Sequence, residues 1–341
     1  MAQVLKLTYK PYTLKLKHPF TIANYSRRET PIVLTEIEYA GDVGYGEASL
    51  PQYLGETQES VIKFLSKVDL TQFKDPMDIN NILNYVDSIE ECNNAAKASL
   101  DIALHDIAGK LMGIPLYKFF GLKKPTEMFT SYTIGIDSNE TINKKIDEAS
   151  GYKYYKIKLG AGNDKEIIET IRNKTDSDLF VDVNQGWNDK NYALDMIEWL
   201  SERNVIFVEQ PLPKENVDDI AWLNEKSRIP IIADEAVIRL IDIVSAKDIY
   251  SGINIKLMKS TGLREALAMI NKAKDLGLKI MLGCMTETSC AVTAAAHLSS
   301  LVDWLDLDGP LLIKNDIFKG LSYSNGKIIL QNLPGIGIEK K

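Results

Sequence analysis

The segment YYKIKLG at residues 154–160 is the first of five short apolar runs that end in, or next to, charged side chains. The four later runs are LFVDVN at 179–184, VIFVEQP at 205–211, IPIIADE at 229–235 and GINIKLM at 252–258. From Lys158 onward, the charged residues of these runs follow one another in steps of 24, 27, 25 and 22 residues. One strand, one helix and two loops take roughly that many residues in a (β/α)8 barrel, whose typical length is about 250 residues. The spacing therefore predicts such a barrel.

Strand and helix patterns alternate from Phe129 onward, which indicates a parallel sheet. Three further apolar runs bring the candidate strands to eight: FTSYTIG at 129–135, LKIMLG at 278–283 and VDWLDLD at 302–308. Amphipathic stretches such as DKEIIETIRNK and LREALAMINKAKDLG lie between them. Because eight strands with intervening helices complete a barrel, the predicted fold class is α/β with a (β/α)8 TIM barrel.

The first third of the chain has a different pattern. Residues 1–50 alternate like strands around the turn AGDVG, which predicts an antiparallel meander. Residues 57–120 show apolar i, i+3, i+4 spacing, and Gly113 with Pro115 would end the last helix. We expect an N-terminal α+β domain over 1–125, a barrel domain over 126–310 and a C-terminal segment over 311–341 that returns to the first domain.

The composition excludes several classes of function. With 40 Lys+Arg against 47 Asp+Glu, the net charge of −7 argues against nucleic acid or an anionic membrane as a partner. No apolar run approaches the ~20 residues that span a bilayer, and the N-terminus lacks a signal-peptide core, so a cytoplasmic protein is expected. Three cysteines are too few and too irregular for a disulfide framework. Three histidines disfavour zinc and favour an oxygen-liganded cation.

Three carboxylates of the series, those of Asp182, Glu209 and Asp234, lie at or near successive predicted strand ends. Catalytic side chains of a TIM barrel come from the C-terminal ends of several strands. The order of lysines, carboxylates and a further lysine therefore predicts a metal site with Lys156, Lys158 and Lys256 beside it. Two neighbouring charges keep two interpretations each. Glu235 and Lys259 are either surface charges or side chains that support the site.

The motifs together resemble those of the enolase superfamily, and more closely its muconate-lactonizing subgroup with the dipeptide epimerases of the L-Ala-D/L-Glu epimerase type. The matching segments are KIK at 156–158, DVNQGW at 182–187, EQP at 209–211, ADE at 233–235, NIKLMK at 254–259 and DLDGP at 306–310. The resemblance covers nearly the whole chain. It implies a modified (β/α)8 barrel under an α+β capping domain that the C-terminal tail completes.

The resemblance also implies roles for the charged residues. Asp182, Glu209 and Asp234 would hold one Mg²⁺ per subunit, which would bind the substrate carboxylate. Lys158 and Lys256 would act as acid and base on opposite faces of the substrate carbon, with Lys156 as electrostatic helper. A lysine ordinarily titrates near ~10.4, and a working base needs a pKa of roughly 7–8. We expect repulsion from Lys156 and the metal ion to lower the pKa of Lys158.

The same resemblance implies that Asp306 and Asp308 would bind the α-ammonium group of a dipeptide. Specificity is expected to come from the cap loops HPFTIANYSRRE and LPQYLGET, where the guanidinium of Arg27 or Arg28 suits a side-chain carboxylate. Here the sequence departs from the Ala-Glu epimerases, which have an arginine slightly earlier, nearest to Tyr25 of this chain. Tyr25 and Tyr53 would otherwise line an apolar pocket, and Cys284 is expected to line the pocket without acting as a nucleophile.

The predicted function is that of a Mg²⁺-dependent dipeptide epimerase that inverts the α-carbon of the C-terminal residue through an enolate. The expected substrate is L-Ala-D/L-Glu or a related dipeptide from peptidoglycan turnover, and a homo-oligomer is possible. A muconate cycloisomerase or an o-succinylbenzoate synthase would use the same enolate. A Schiff-base lyase that uses Lys158 or Lys256 and a non-enzymatic binding protein are alternatives of other classes.

Overall fold

The computed structural model describes residues 4–23, 25–50 and 52–341. Asn24 and Pro51, which belong to the two predicted specificity loops, therefore lie outside the described residues. The first three strands form an antiparallel sheet in chain order: β1 Lys6–Ile22, β2 Tyr25–Tyr39 and β3 Asp42–Ser49. Ala40 and Gly41 turn the chain between β2 and β3 with positive φ angles of 56° and 93°. This sheet confirms the predicted meander.

One part of the sequence interpretation is wrong. The stretch HPFTIANYSRRE was predicted to be a loop, but much of it forms the end of the β1–β2 hairpin. Phe20 pairs with Arg27, and Ile22 pairs with Tyr25, after a register shift that follows Lys15. Cross-strand side-chain contacts stabilise such a hairpin end. Arg27 thereby has a fixed backbone position.

Four helices follow the sheet: α1 Gln58–Leu65, α2 Ile79–Ile89, α3 Asn94–Met112 and α4 Leu116–Phe119. The longest, α3, is buried along almost its whole length and packs against β2 and β3. It ends at Gly113, whose φ of 67° and backbone N–H to the carbonyls of Gly109 and Lys110 form the expected glycine cap.

Eight parallel strands make the second sheet, in chain order. They are β4 Ser131–Ile134, β5 Tyr154–Lys158, β6 Asp178–Asp182, β7 Val205–Glu209, β8 Ile231–Ala233, β9 Gly252–Lys256, β10 Lys279–Gly283 and β11 Trp304–Asp306. A parallel bridge between Thr130 and Leu305 brings the first and last strands together. The predicted α/β barrel is confirmed.

The helices that connect these strands each bury an apolar face. They are α5 Asn139–Glu148, α6 Asp164–Arg172, α7 Lys190–Ser201, α8 Val217–Lys226, α9 Ile243–Ala246, α10 Leu263–Asp275 and α11 Ser289–Ala296. No helix among the described residues is long and apolar enough to cross a membrane.

Inside the barrel, the strands contribute an apolar layer of side chains, the floor, and above it a charged layer at their C-terminal ends. Phe180, Phe207, Ile232 and Met281 form a buried cluster, in which the rings of Phe180 and Phe207 stack at 4.5 Å. Residues i and i+2 of a strand point to the same side. The side chains two positions beyond this floor, such as Asp182 on β6, are therefore the next layer toward the C-terminal ends of the strands.

The C-terminal tail contacts both parts of the molecule. It contains the paired strands β12 Phe318–Lys319 with β15 Glu339–Lys340, and β13 Ser322–Ser324 with β14 Lys327–Ile329. Backbone bridges join Ile313 to Leu16 and Gly335 to Pro115, whereas the Tyr323 hydroxyl donates to the Leu307 carbonyl. The division at residues 125 and 310 stays a prediction.

Candidate active site

Three carboxylates meet at the C-terminal ends of neighbouring strands. Asp182 and Glu209 end β6 and β7 and are register partners, and Asp234 directly follows β8. All three are buried, and each offers an oxygen within 4.8 Å of the others. Octahedral Mg²⁺ binds oxygens at about 2.0–2.1 Å, which sets its ligands about 3 to 4 Å apart. The predicted ligand set therefore fits one such ion.

The three predicted lysines surround this triad. Lys158 Nζ lies 2.5 Å from Asp182 Oδ2, and Lys256 Nζ lies 2.6 Å from Asp234 Oδ2. Lys156 Nζ lies 3.0 Å from Asp182 Oδ2 and 2.8 Å from Glu209 Oε2. Because β5 and β9 are four steps apart in a barrel of eight strands, Lys158 and Lys256 project from opposite walls. Both line the same cavity of about 390 Å³.

Burial and charge set the titration of this cluster. Burial raises the pKa of Asp182, but the ammonium groups of Lys158 and Lys156 outweigh it and lower that pKa to about 2. Burial and the charge of Asp182 raise the pKa of Glu209 to about 7. Burial lowers the pKa of Lys156 and of Lys256, but nearby carboxylates outweigh it and raise both well above the ordinary lysine value.

A lysine that acts as a base at neutral pH needs a lowered pKa, so the raised pKa values of Lys156 and Lys256 are the opposite of what was expected of a base. The protein's own carboxylates outnumber its ammonium groups here. Six buried carboxylates and four buried ammonium groups lie at or within three residues of the strand ends: Asp182, Glu209, Asp234, Glu235, Asp306, Asp308, Lys156, Lys158, Lys256 and Lys259. When all ten are ionised, their net formal charge is minus two, so the cluster attracts a cation. In addition, the ion pair with Lys156 Nζ at 2.8 Å is the one polar contact of the buried Glu209 Oε2 among the described residues.

The predicted ammonium-binding pair lies at the end of β11 and in the residues that follow it. Asp306 Oδ1 accepts from Ser131 Oγ at 2.8 Å, and Asp306 Oδ2 lies 2.8 Å from Lys156 Nζ. Asp308 Oδ2 accepts from the Thr133 backbone N–H at 2.6 Å. Burial and the charge of Asp306 raise the pKa of Asp308 to about 7. Both side chains line the cavity.

The N-terminal sheet covers the cavity on the side opposite the barrel strands. It places one of the two candidate arginines in the cavity and the other outside it. Arg27 lines the cavity, where its Nη2 donates to Thr286 Oγ1 at 2.8 Å and its guanidinium lies 5.3 Å from the Phe20 ring centroid. Its Nε is buried and has no hydrogen-bond partner among the described residues. Arg28 is exposed and does not line the cavity.

Other predicted pocket residues also reach the cavity. Tyr25 and Tyr53 line it from the cap, and the Tyr53 hydroxyl donates to Met285 Sδ at 3.4 Å. Cys284 lies on the wall beyond β10 as a free thiol, and burial raises its pKa well above the ordinary value. A thiol with a raised pKa is a poor nucleophile, which agrees with a pocket-lining role.

Several polar residues of the site were not predicted as functional. Asn184 and Gln185 line the cavity with positive φ angles of 46° and 65°. Asn184 Nδ2 donates to Glu235 Oε1 at 3.1 Å, and Glu235 is buried and lines the cavity, so its interpretation as a surface charge is wrong. Lys259 has no exposed surface, so its interpretation as a surface charge is wrong. Its position in the motif NIKLMK at 254–259 was the sequence signal for a role in the site.

Comparisons with known proteins agree with this geometry. The mandelate racemase/muconate lactonizing enzyme N-terminal domain matches residues 6–121, and the enolase C-terminal domain-like family matches residues 141–341. The L-Ala-D/L-Glu epimerase of Bacteroides thetaiotaomicron is 56% identical over 337 residues, which cover 98% of this chain and 88% of that protein. The L-Ala-D/L-amino acid epimerase of Pedosphaera parvula is 36% identical, with 97% of each chain covered.

A solved structure extends the likeness to the whole fold. The dipeptide epimerase of Cytophaga hutchinsonii, complexed with Mg and the dipeptide D-Ala-L-Val, superposes with a TM-score of 0.92 at 29% identity. The superposition covers 100% of this chain and 96% of that one. The resemblance inferred from the sequence motifs is thereby confirmed. The chain belongs to the mandelate racemase and muconate lactonizing enzyme family of the enolase superfamily, and it is an isomerase.

Proposed function

We propose that this enzyme is a Mg²⁺-dependent dipeptide epimerase that inverts the α-carbon of the C-terminal residue. The observation that carries the proposal is the placement of Lys158 and Lys256 on opposite walls of one cavity, with the carboxylate triad between them. One lysine would remove the α-proton from one face, and the other would deliver a proton to the opposite face. The stereocentre inverts, and the enzyme ends the turnover with its two lysines in exchanged protonation states.

The other charged groups would bind and orient the substrate. Asp182, Glu209 and Asp234 would hold the ion, which when bound would supply positive charge beside the substrate carboxylate as the enolate forms. Lys156, in contact with two of these carboxylates and with Asp306, would hold their side chains in place. The N-terminal sheet would exclude water from the reacting carbon.

Arg27 supports an acidic side chain on the C-terminal residue of the dipeptide. Its guanidinium lies in the cavity, has a hydroxyl and an aromatic ring as neighbours, and leaves Nε without a partner among the described residues. Burial lowers the pKa of Arg27, because no adjacent carboxylate of the described residues offsets the cost of desolvation. A carboxylate of the substrate would offset that cost by bidentate hydrogen bonding. The name of the 56% identical relative, L-Ala-D/L-Glu epimerase, points to the same substrate.

The finer parts of the assignment stay predictions. A peptidoglycan origin of the dipeptide, a cytoplasmic location and a homo-oligomeric state rest on the sequence interpretation. The relatives named as L-Ala-D/L-Glu and L-Ala-D/L-amino acid epimerases differ in the second residue that their names give, so the proposed acidic preference rests on Arg27.

Chiral chromatography of a reaction with L-Ala-L-Glu tests the proposal. Purified enzyme with Mg²⁺ should convert the dipeptide to a mixture of L-Ala-L-Glu and L-Ala-D-Glu, and chelator treatment should abolish the conversion. Muconolactone formation from cis,cis-muconate, or dehydration to o-succinylbenzoate, without epimerisation of any dipeptide would favour the cycloisomerase or synthase alternative. Borohydride inactivation in the presence of substrate and chelator would favour the Schiff-base lyase.

A further inference from the structure

Lys259 makes three hydrogen bonds, two of which go to the predicted metal ligand Asp234. Its Nζ donates to Asp234 Oδ1 at 2.6 Å, to the Asp234 carbonyl at 2.6 Å and to the Asn254 carbonyl at 2.9 Å. An ammonium group has three protons, so these bonds satisfy it completely. The side chain has no exposed surface and does not line the cavity. Lys259 therefore holds Asp234 from behind and does not meet the substrate.

The geometry leaves the other oxygen of Asp234 directed to the cavity. With Oδ1 bonded to Lys259, Oδ2 is the oxygen that approaches Lys256 at 2.6 Å. The backbone N–H of Asp234 donates to Gln210 Oε1 at 3.1 Å, which fixes the main chain as well. Lys259 thus determines which carboxylate oxygen of Asp234 faces the reaction site.

Asn254, which lies on β9, orients a second predicted ligand, Glu209 on β7. Its Nδ2 donates to Glu209 Oε1 at 2.7 Å, and the side chain has no exposed surface. Glu209 Oε2 is left to face Lys156 and the interior of the triad. Gly283 of the neighbouring strand provides the space, since a Cβ there would lie 2.6 Å from Asn254 Oδ1. Any larger residue at Gly283 would displace this amide.

A tight turn brings the two supports together. The backbone N–H groups of Lys259 and Ser260 both donate to the Lys256 carbonyl, at 2.9 and 3.1 Å. The chain folds back at the end of β9, so that the Lys259 side chain reaches the backbone at Asp234, directly after β8, and at Asn254 of β9. The Asn254 carbonyl, which accepts from Lys259, completes the connection.

We propose that Lys259 and Asn254 are positioning residues that preorient Asp234 and Glu209 for a divalent cation. The proposal rests on the metal site of the proposed function. Groups that hydrogen-bond to metal ligands commonly change metal affinity by about 10–100-fold when they are removed. Because the ligands are held from β9, which carries Lys256, and from the turn that follows it, metal binding and the position of that lysine would also be coupled.

Titration of metal-stripped protein with Mn²⁺, followed by electron paramagnetic resonance of the free ion, tests the proposal without substrate. Lys259→Met is expected to raise the Mn²⁺ dissociation constant by about 10-fold or more. Lys145→Met is the matched control, because Lys145 is also a buried lysine, but it lies on α5, pairs with Asp137 and does not line the cavity. That variant should bind Mn²⁺ within about twofold of wild type. Epimerase activity of Lys259→Met should recover in part at saturating metal.

The outcomes separate this inference from the proposed function. Equal Mn²⁺ affinity in wild type and Lys259→Met overturns the inference alone, whereas a wild-type protein that binds no Mn²⁺ overturns the metal site and the inference with it. If Lys259→Met does not fold, Asn254→Leu keeps Lys259 and removes only the donor to Glu209. That variant should raise the dissociation constant by about 10-fold, and an unchanged value there would also overturn the inference.

Discussion

Lys156 Nζ lies 2.8 Å from Asp306 Oδ2, and this ion pair joins β5 to β11 across β4. The second oxygen of Asp306 accepts from Ser131 Oγ, so both oxygens have partners within the protein. Asp308 accepts a hydrogen bond at Oδ2 from the Thr133 backbone N–H, whereas the described residues give no such bond to its Oδ1. The two aspartates were predicted as an equivalent pair. From these surroundings we propose Asp308 as the main partner of a substrate ammonium group, with Asp306 holding Lys156.

Replacement of Asp308 should weaken the binding of dipeptides that have a free α-ammonium group. A hydrogen bond to a charged group contributes about 1.5–3 kcal/mol, so Asp308→Asn should raise KM for L-Ala-L-Glu by about 10- to 100-fold. N-acetyl-L-Ala-L-Glu lacks the cation, and its KM should change much less. Asp303→Asn is the control, because Asp303 pairs with Lys279 at the other end of the strands. Similar KM values for Asp308→Asn and wild type would refute the assignment.

Replacement of Arg27 should change the side-chain preference of the enzyme. Arg27→Met removes a cavity guanidinium that would bind the substrate's side-chain carboxylate. We expect kcat/KM for L-Ala-L-Glu to fall by about 100-fold, which corresponds to about 3 kcal/mol for a charge-assisted contact. The value for L-Ala-L-Met should be unchanged or higher.

Arg28→Met provides the matched control for the Arg27 prediction. Arg28 is the next residue in the chain, is exposed and does not line the cavity. Its kinetics with both dipeptides should equal those of wild type. An equal loss on the acidic and the apolar dipeptide in Arg27→Met would mean that Arg27 supports the fold and does not select the side chain.

His297 should make the stability of the protein depend on pH below neutrality. Its Nδ1 accepts from the Tyr117 backbone N–H and its Nε2 lies 3.1 Å from the Ile336 carbonyl, so the ring is neutral with its proton on Nε2. Burial lowers its pKa from 6.5 to about 4. The unfolded chain therefore binds a proton that the folded chain does not between these pH values. The contribution of His297 to the free energy of unfolding is fully present above about pH 6.5. It falls by about 3 kcal/mol as the pH drops toward 4.

Urea unfolding at several pH values measures the contribution of His297. The free energy of unfolding of wild type should decrease between pH 7 and pH 5 more steeply than that of His297→Gln, which cannot take up the proton. His18→Gln, at a partly exposed histidine, should keep the wild-type slope. Parallel slopes for wild type and His297→Gln would show that the histidine does not contribute.

The barrel and the order of its charged residues could be predicted from the sequence because both depend on local spacing. In a (β/α)8 barrel, the ends of successive strands recur at the length of one strand–helix unit, and they all lie at the same end of the barrel. A carboxylate that closes an apolar run at each of these intervals must therefore meet the others there. Asp182, Glu209 and Asp234 could be placed together before any tertiary contact was known.

Other parts of the site depend on tertiary contacts that local patterns do not contain. Arg27 and Arg28 alternate along one strand, and only the packing of the hairpin against the barrel decides which of them enters the cavity. Lys259 reaches Asp234 because of a turn at the end of β9, which no periodicity in NIKLMK reveals. The raised pKa of Lys256 was also missed, because it requires the distance to Asp234.

Lys158 and Lys256 are proposed to act on opposite faces of one α-carbon. This is tested most directly by proton NMR of each epimer, L-Ala-L-Glu and L-Ala-D-Glu, in D₂O with Mg²⁺ and with wild type, Lys158→Ala or Lys256→Ala. Wild type should place deuterium at the glutamate α-carbon of both epimers. Each variant should fail to epimerise and should still exchange the α-proton of one epimer only, with the two variants retaining opposite epimers. Exchange of the same epimer by both variants, or epimerisation by either one, would show that the two lysines do not act on opposite faces of the α-carbon.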